Sequence, residues 1–128
     1  MYCVTDTHAL LWYVTSDTRL SAQGYSIFAS AEKGEIAIVV PAMVLLECID
    51  VFDKKKVRFD FQGLILKIAE SRNFIIAELN WNLILEVERT KGFRDLHDRI
   101  IVATARLFDA PLLSRDRIIR RVYGKTIW

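Results

Sequence analysis

The chain has 128 residues, enough for one domain over residues 1–128 that buries roughly two-thirds of the surface its unfolded form exposes. Hydrophobic residues make up 52% of it and its mean hydropathy is +0.21, which suits strands buried on both faces, yet no stretch reaches the ~18 uninterrupted apolar residues of a membrane span. The formal net charge of +2 is too small to identify a polyanionic partner, so the distribution of charge has to carry that question.

Tyr2-Cys3-Val4-Thr5 is a short β-prone run ending in Asp6, and Thr7 to Tyr13 turns to helical spacing. Asp6 therefore stands at a strand-to-helix junction, where a carboxylate can cap the free N–H groups of the helix or face a site. The first residues lack the basic start of a signal peptide, so a cytoplasmic chain is expected. Cys3 and Cys48 lie in apolar contexts without CxxC spacing and read as buried free thiols. Ser21 is placed to cap a second helix to about Lys33, with Ile27, Phe28 and Ala31 inward and Gly34 ending it.

Ile36 to Val40 reads as a buried strand, and Pro41 suits the first turn of the next helix. Glu47 is the only charged residue between Ile36 and Ile49. It either faces solvent on a narrow stripe with Asp50 or points into a polar site, because a carboxylate among apolar neighbours needs partners. Phe52 to Phe61, with the cluster Lys54, Lys55 and Lys56, is polar and aperiodic, a loop or a helix end. Helical spacing returns from Phe61 to about Arg72, with Leu64, Ile65, Ile68 and Ala69 inward. Phe74 to Ala77 then reads as a third strand. Asn80 caps a helix whose inward positions are Trp81, Ile84 and Leu85, with Glu86, Glu88, Arg89 and Lys91 on a solvated face and Gly92 as the break.

Asp95 to Asp116 is the most informative stretch. Asp98 opens a run in which Ile100, Ile101, Ala103, Thr104, Ala105, Leu107 and Phe108 fall on helical repeats, so its carboxylate sits on the first turn of a core-packed helix. Asp95, three residues earlier, resembles the first member of a capping pair. After Asp109-Ala110-Pro111, the pair Leu112-Leu113 reads as a buried strand that delivers Ser114, Arg115 and Asp116 at its carboxyl end. Arg115, Arg117, Arg120, Arg121 and Lys125 surround Asp116, and Thr126 to Trp128 adds an edge strand. Basic flanks around an acidic centre suit a polyanion held by its phosphates.

The order is strand, two helices, strand, two helices, strand, one or two helices, strand, helix, strand. It implies an α/β fold, a mostly parallel sheet of four to five strands with helices on both faces. Asp6 and Asp116 then stand at carboxyl ends of strands, where ligands gather, while Glu47 and Asp98 come from helices able to lean over the same edge. Two unit charges ~4 Å apart repel by roughly 4 kcal/mol at an effective dielectric near 20, so four converging carboxylates stay partly protonated or bind a cation. Their hard oxygens suit Mg²⁺ or Mn²⁺, ions that support phosphodiester displacement. His8 and His97 have no third partner at ligand spacing, and no Ser-His-Asp order, P-loop or GxGxxG occurs.

Asp6-Thr7-His8-Ala9-Leu10-Leu11-Trp12, Leu20-Ser21, Glu47 in its apolar helix, Asp98-Arg99-Ile100-Ile101-Val102-Ala103-Thr104-Ala105 and Leu113-Ser114-Arg115-Asp116, in this order and spacing, resemble the PIN-domain nucleases and among them the VapC-type toxins of toxin–antitoxin pairs. The resemblance covers nearly the whole chain. It implies a PIN-like (Rossmann-like) three-layer domain and a Mg²⁺- or Mn²⁺-dependent endoribonuclease. Asp6, Glu47, Asp98 and Asp116 fall on the catalytic and metal-binding acidic quartet, and Ser114 on a site-lining position. It also implies homodimers and a small antitoxin that blocks the site. Thr7 is expected as a site neighbour, Asp95 as a support or substitute for Asp98, and Arg115, Arg117, Arg120 and Arg121 as contacts for RNA phosphates. Asp50 to Phe61 matches no transferable motif. Two other readings stand beside this one. A catalytically inactive PIN-like module would bind only RNA or a partner, and a receiver-like Mg²⁺-binding phosphoacceptor would want paired acids after the first strand and a lysine after the last.

Overall fold

In the computed structural model, which describes residues 1–128, five short strands form one sheet. They are β1 (Tyr2–Thr5), β2 (Ala37–Pro41), β3 (Phe74–Ala77), β4 (Leu112–Leu113) and β5 (Thr126–Ile127), in the spatial order β3-β2-β1-β4-β5. Every neighbouring pair is parallel. Parallel strands need crossovers, and seven helices supply them: α1 (Thr7–Val14), α2 (Ala22–Glu32), α3 (Ala42–Lys55), α4 (Phe61–Glu70), α5 (Trp81–Arg89), α6 (Leu96–Leu107) and α7 (Arg117–Val122). Consecutive residues Ile38, Val39 and Val40 are all fully buried, as are Leu112 and Leu113. Both faces of the central strands are therefore covered, which explains their unbroken runs of β-branched and aliphatic residues.

The chain leaves β1 toward β2 and β3 on one side and returns to β4 and β5 on the other. At such a reversal the connections part and open a crevice at the carboxyl ends of the strands. Thr5 is in register with Leu113, and the Asp6 N–H donates to the Leu113 carbonyl at 3.2 Å. The residues just beyond β1 and β4 consequently emerge side by side.

Some elements depart from the sequence reading. Pro41 ends β2 rather than entering α3; its ψ of 139° is extended, so the helix starts at Ala42. Helix α3 absorbs Phe52 to Lys55 and stops where Lys56 turns left-handed at φ 52°, and α4 closes at Glu70, before Arg72. The largest difference is the facing of α5. Leu83 is buried and packs with Ile100 and Ala103 of α6 and with Met43 and Val87, whereas Trp81, Ile84 and Leu85 are 70%, 56% and 46% exposed. The facing follows Leu83 and Val87, one turn apart, which pack against α6; Glu86 comes round beside them, its carboxylate accepting from Arg106 Nε at 3.0 Å with 14% of the side chain exposed. Cys3 and Cys48 are buried free thiols.

Candidate active site

Asp6 is the first residue past β1 and the N-cap of α1, its Oδ1 accepting the Ala9 N–H at 2.8 Å. Capping and site geometry coexist, since the cap needs only one acceptor of a carboxylate that lies in the crevice. The residue is 6% exposed. Burial pushes its carboxyl above the ordinary range and Asp116 adds to that, while the Ser114 hydroxyl, the Ala9 N–H and His8 oppose it.

Ser114, fully buried, follows β4. Its Oγ accepts the Asp116 N–H at 3.1 Å, and this two-residue turn brings Asp116 to the N-cap of α7. There Oδ1 takes the N–H groups of Ile118 and Ile119 at 2.9 and 3.0 Å. The same logic operates at α6: Asp95 is the N-cap and accepts from His97 and Asp98 at 2.7 and 3.2 Å. Asp95 is thus bound to its own helix, and the cap sets the first turn on which Asp98 is carried.

Glu47 resolves between its two alternatives. Thr7 Oγ1 donates to its Oε1 at 2.8 Å, and His97 Nδ1 stands 3.4 Å from its Oε2. The side chain leans from α3 toward α1 and α6, whereas Asp50 pairs with Lys54 in solvent at 2.8 Å.

Asp98 reports how these groups meet. Its carboxyl is pushed up to about 6, first by burial and then by the charges of Asp116, Asp95, Glu47 and Asp6. Carboxylates from β1, α3, α6 and the end of β4 therefore share one electrostatic neighbourhood. The chain has 18 Lys and Arg, yet none of Asp6, Glu47, Asp98 and Asp116 forms an ion pair with any of them. Left uncompensated, such a group is unfavourable, and hard oxygen donors of this kind fit a divalent cation such as Mg²⁺ or Mn²⁺. Burial raises the nearby Cys48 thiol to about 12. The side chains surround an open edge and do not form a closed cage: no three His, Cys, Asp or Glu groups stand close enough to hold an ion by themselves. A cavity of about 1210 Å³ opens elsewhere, lined mainly by residues of α1, α2 and α4; it contains none of the four carboxylates, so its size says nothing about this chemistry.

Of the four arginines, Arg115 lies between Ser114 and Asp116 in the chain, its Cζ 4.5 Å from the Trp12 ring centroid. Arg117, Arg120 and Arg121 are exposed on α7, and none is among the groups that act on Asp6 or Asp98. Sequence reasoning missed the approach of His97 to Glu47, which depends on how α6 crosses α3. It also missed Arg19, which shares the Trp12 ring with Arg115.

The model of the PIN domain family matches residues 3–125. No curated protein matches the sequence significantly. Among solved structures the chain is similar to a toxin-antitoxin complex from Klebsiella pneumoniae, at 17% identity and a TM-score of 0.70, covering 98% of this chain and 96% of that one. It is similar to VapBC2 from Rickettsia felis, bound to a DNA fragment from the promoter, at 15% identity and a TM-score of 0.71, covering 99% and 96%. It is also similar to PAE2754 from Pyrobaculum aerophilum, at 15% identity and a TM-score of 0.58, covering 98% and 81%. At these identities the likeness speaks to the fold alone, whereas the family model runs from β1 to beyond α7: the chain belongs to the PIN domain family.

Proposed function

We propose that this PIN domain is a Mg²⁺- or Mn²⁺-dependent endoribonuclease and the toxin of a type II toxin–antitoxin pair. One observation carries the reading: Asp6, Glu47, Asp98 and Asp116 come from four elements to one sheet edge and have no Lys or Arg partner. These four residues, no three of which stand close enough to hold an ion as they are, would draw in around the cation, which when bound would offset their charge and that of a phosphodiester and act as a Lewis acid.

The chain's own groups divide the remaining work. Asp6 is fixed by the Ala9 N–H, and Glu47 is oriented by Thr7 and His97; neither has to reorganise during reaction. Asp98, its carboxyl raised by burial and by the neighbouring carboxylates, carries a charge that a bound cation would help to compensate. Ser114 holds the Asp116 turn, and Arg115 supplies a guanidinium for a phosphate. The names of the Klebsiella and Rickettsia neighbours as toxin-antitoxin and VapBC complexes support an antitoxin as partner; that it is small and blocks the site, and that the toxin is a cytoplasmic homodimer, is carried by the family resemblance alone.

The test is cleavage of single-stranded RNA in Mn²⁺ and in chelator by the wild type, Asp6→Ala and Asp98→Ala. The reading requires cutting by the wild type with Mn²⁺ alone. An Asp98→Ala variant that cuts within about tenfold of wild type, short of the loss of an essential group, would transfer the role of Asp98 to Asp95 or, where Asp6→Ala also cuts, show that the activity does not come from this site. A folded wild type that binds RNA and never cuts it is the inactive module.

A further inference from the structure

Trp12, near the end of α1, is 5% exposed, and two guanidinium groups lie over its ring. Arg115 Cζ is 4.5 Å from the centroid and Arg19 Cζ is 5.0 Å from it, so the two cations stand no more than about 10 Å apart. His8 and Trp128 flank the same indole, with ring centroids at 5.3 and 5.8 Å. Arg19 is further fixed by Asp17, to which Nε and Nη2 donate at 3.1 and 2.8 Å. That engagement uses two of its five N–H donors and leaves three. Arg115 has no carboxylate partner and is held by the aromatic face instead.

An arginine held by an aromatic face keeps its planar fork open for a phosphate, and orienting it beforehand lowers the cost of the contact. Arg115 follows Ser114 directly and precedes Asp116, so one end of this pair adjoins the acidic edge and the other lies in the turn after α1. Arg120 and Arg121 lack any comparable support, with neither an ion pair nor an aromatic partner.

We propose that Trp12 is a positioning residue for the nucleic-acid strand: its indole sets Arg115 and Arg19 as neighbouring phosphate contacts, so the strand leaves the acidic edge along α1 and the turn after it rather than along α7. The inference rests on the ribonuclease reading above and names the route by which that substrate is held.

The experiment is fluorescence anisotropy of a labelled single-stranded RNA oligonucleotide with the full chain, in chelator so that nothing is cut, over a range of salt. Arg19→Ala and Arg115→Ala should each weaken binding and flatten the dependence of log affinity on log salt by about 0.7, one phosphate contact apiece. Arg19→Lys and Arg115→Lys should restore the slope, because the charge returns, while affinity stays below wild type. Trp12→Phe should keep the slope and lose several-fold in affinity; in cleavage it should raise KM with kcat near wild type. Arg120→Ala with Arg121→Ala should leave the slope unchanged. If Trp12→Phe does not fold, the arginine variants decide alone. Wild-type binding whose slope is indifferent to Arg19 and Arg115, or is carried by Arg120 and Arg121, overturns the route and leaves the nuclease reading standing. Wild-type protein that neither binds nor cuts RNA overturns both.

Discussion

Thr7 donates its hydroxyl to Glu47, Oγ1 to Oε1 at 2.8 Å, and so ties the first turn of α1 to the middle of α3. The donor is buried, at 7% exposed, and it fixes the site carboxylate carried on the apolar first half of α3. Thr7→Val preserves shape and removes the donor. Losing one such hydrogen bond costs about 1 kcal/mol of stability, which thermal unfolding will register as a small shift. Cleavage should fall by at least about tenfold, since a displaced catalytic group loses far more than its stability cost, and Thr7→Ser should recover most of it. A Thr7→Val enzyme as fast as wild type would remove the hydroxyl from the site's organisation.

The raised carboxyl of Asp98 makes a prediction about pH in metal-free protein. It titrates at about 6 in the folded chain against 3.8 when free, so between those values the folded state binds more protons than the unfolded one. Stability then falls as pH rises through that window. The penalty is absent below the lower value and complete above the upper one, and Asp6, raised as well, acts in the same direction. Asp98→Asn removes part of it: its stability in chelator should lose less between about pH 4 and pH 6 and should equal or exceed wild type at neutral pH. Superimposable pH profiles would show that Asp98 feels no such neighbours.

Glu86 and Glu88 separate a half-buried carboxylate from a solvated one. Glu86 is 14% exposed and meets Arg106 at 3.0 Å and Arg89 at 3.8 Å, whereas Glu88 and its partner Lys91 are each at least 70% exposed. Glu86→Ala should cost on the order of 1 kcal/mol by leaving Arg106 unpaired beside α5, and Glu88→Ala close to nothing. Equal effects in chemical denaturation would return Glu86 to the solvated face.

The same rotation of α5 exposes Trp81, Ile84 and Leu85 together with Leu79. Trp81, Ile84 and Leu85 occupy one side of the helix at spacings of three and four, and apolar clusters of this sort on a single chain mark association surfaces. With the proposed homodimer, a second copy of this face is the occupant. Trp81→Glu should then sediment as a monomer with its thermal transition intact. A wild-type monomer, or a Trp81→Glu dimer, assigns dimerisation to another surface or to none.

The alternation of elements was legible because it depends on local pattern. Ile36–Val40 and Leu112–Leu113 read as buried strands, as Ala37–Pro41 and Leu112–Leu113 are, and Asp6, Ser21, Asn80 and Asp95 cap the helices that follow them. The positions just past β1 and β4 followed from parallel topology. What could not be read were orientations decided by partners distant in sequence. Hydropathy placed Trp81, Ile84 and Leu85 inward, yet Leu83 and Val87 pack against α6 instead, and Glu86 comes round with them to meet Arg106, twenty residues beyond. Glu47 had two possible facings until Thr7, forty residues earlier, supplied the donor. Trp12 looked like any core aromatic, and its two guanidinium neighbours come from separate loops.

Four carboxylates sharing one cation site is the proposal's centre, and thermal unfolding with and without millimolar Mn²⁺ tests it most directly. A ion bound only by the folded chain raises its stability by mass action, so wild type should unfold at a higher temperature with Mn²⁺. Asp98→Asn should respond less, and Glu88→Ala should respond as wild type does. A wild-type transition that Mn²⁺ leaves in place would contradict the shared site.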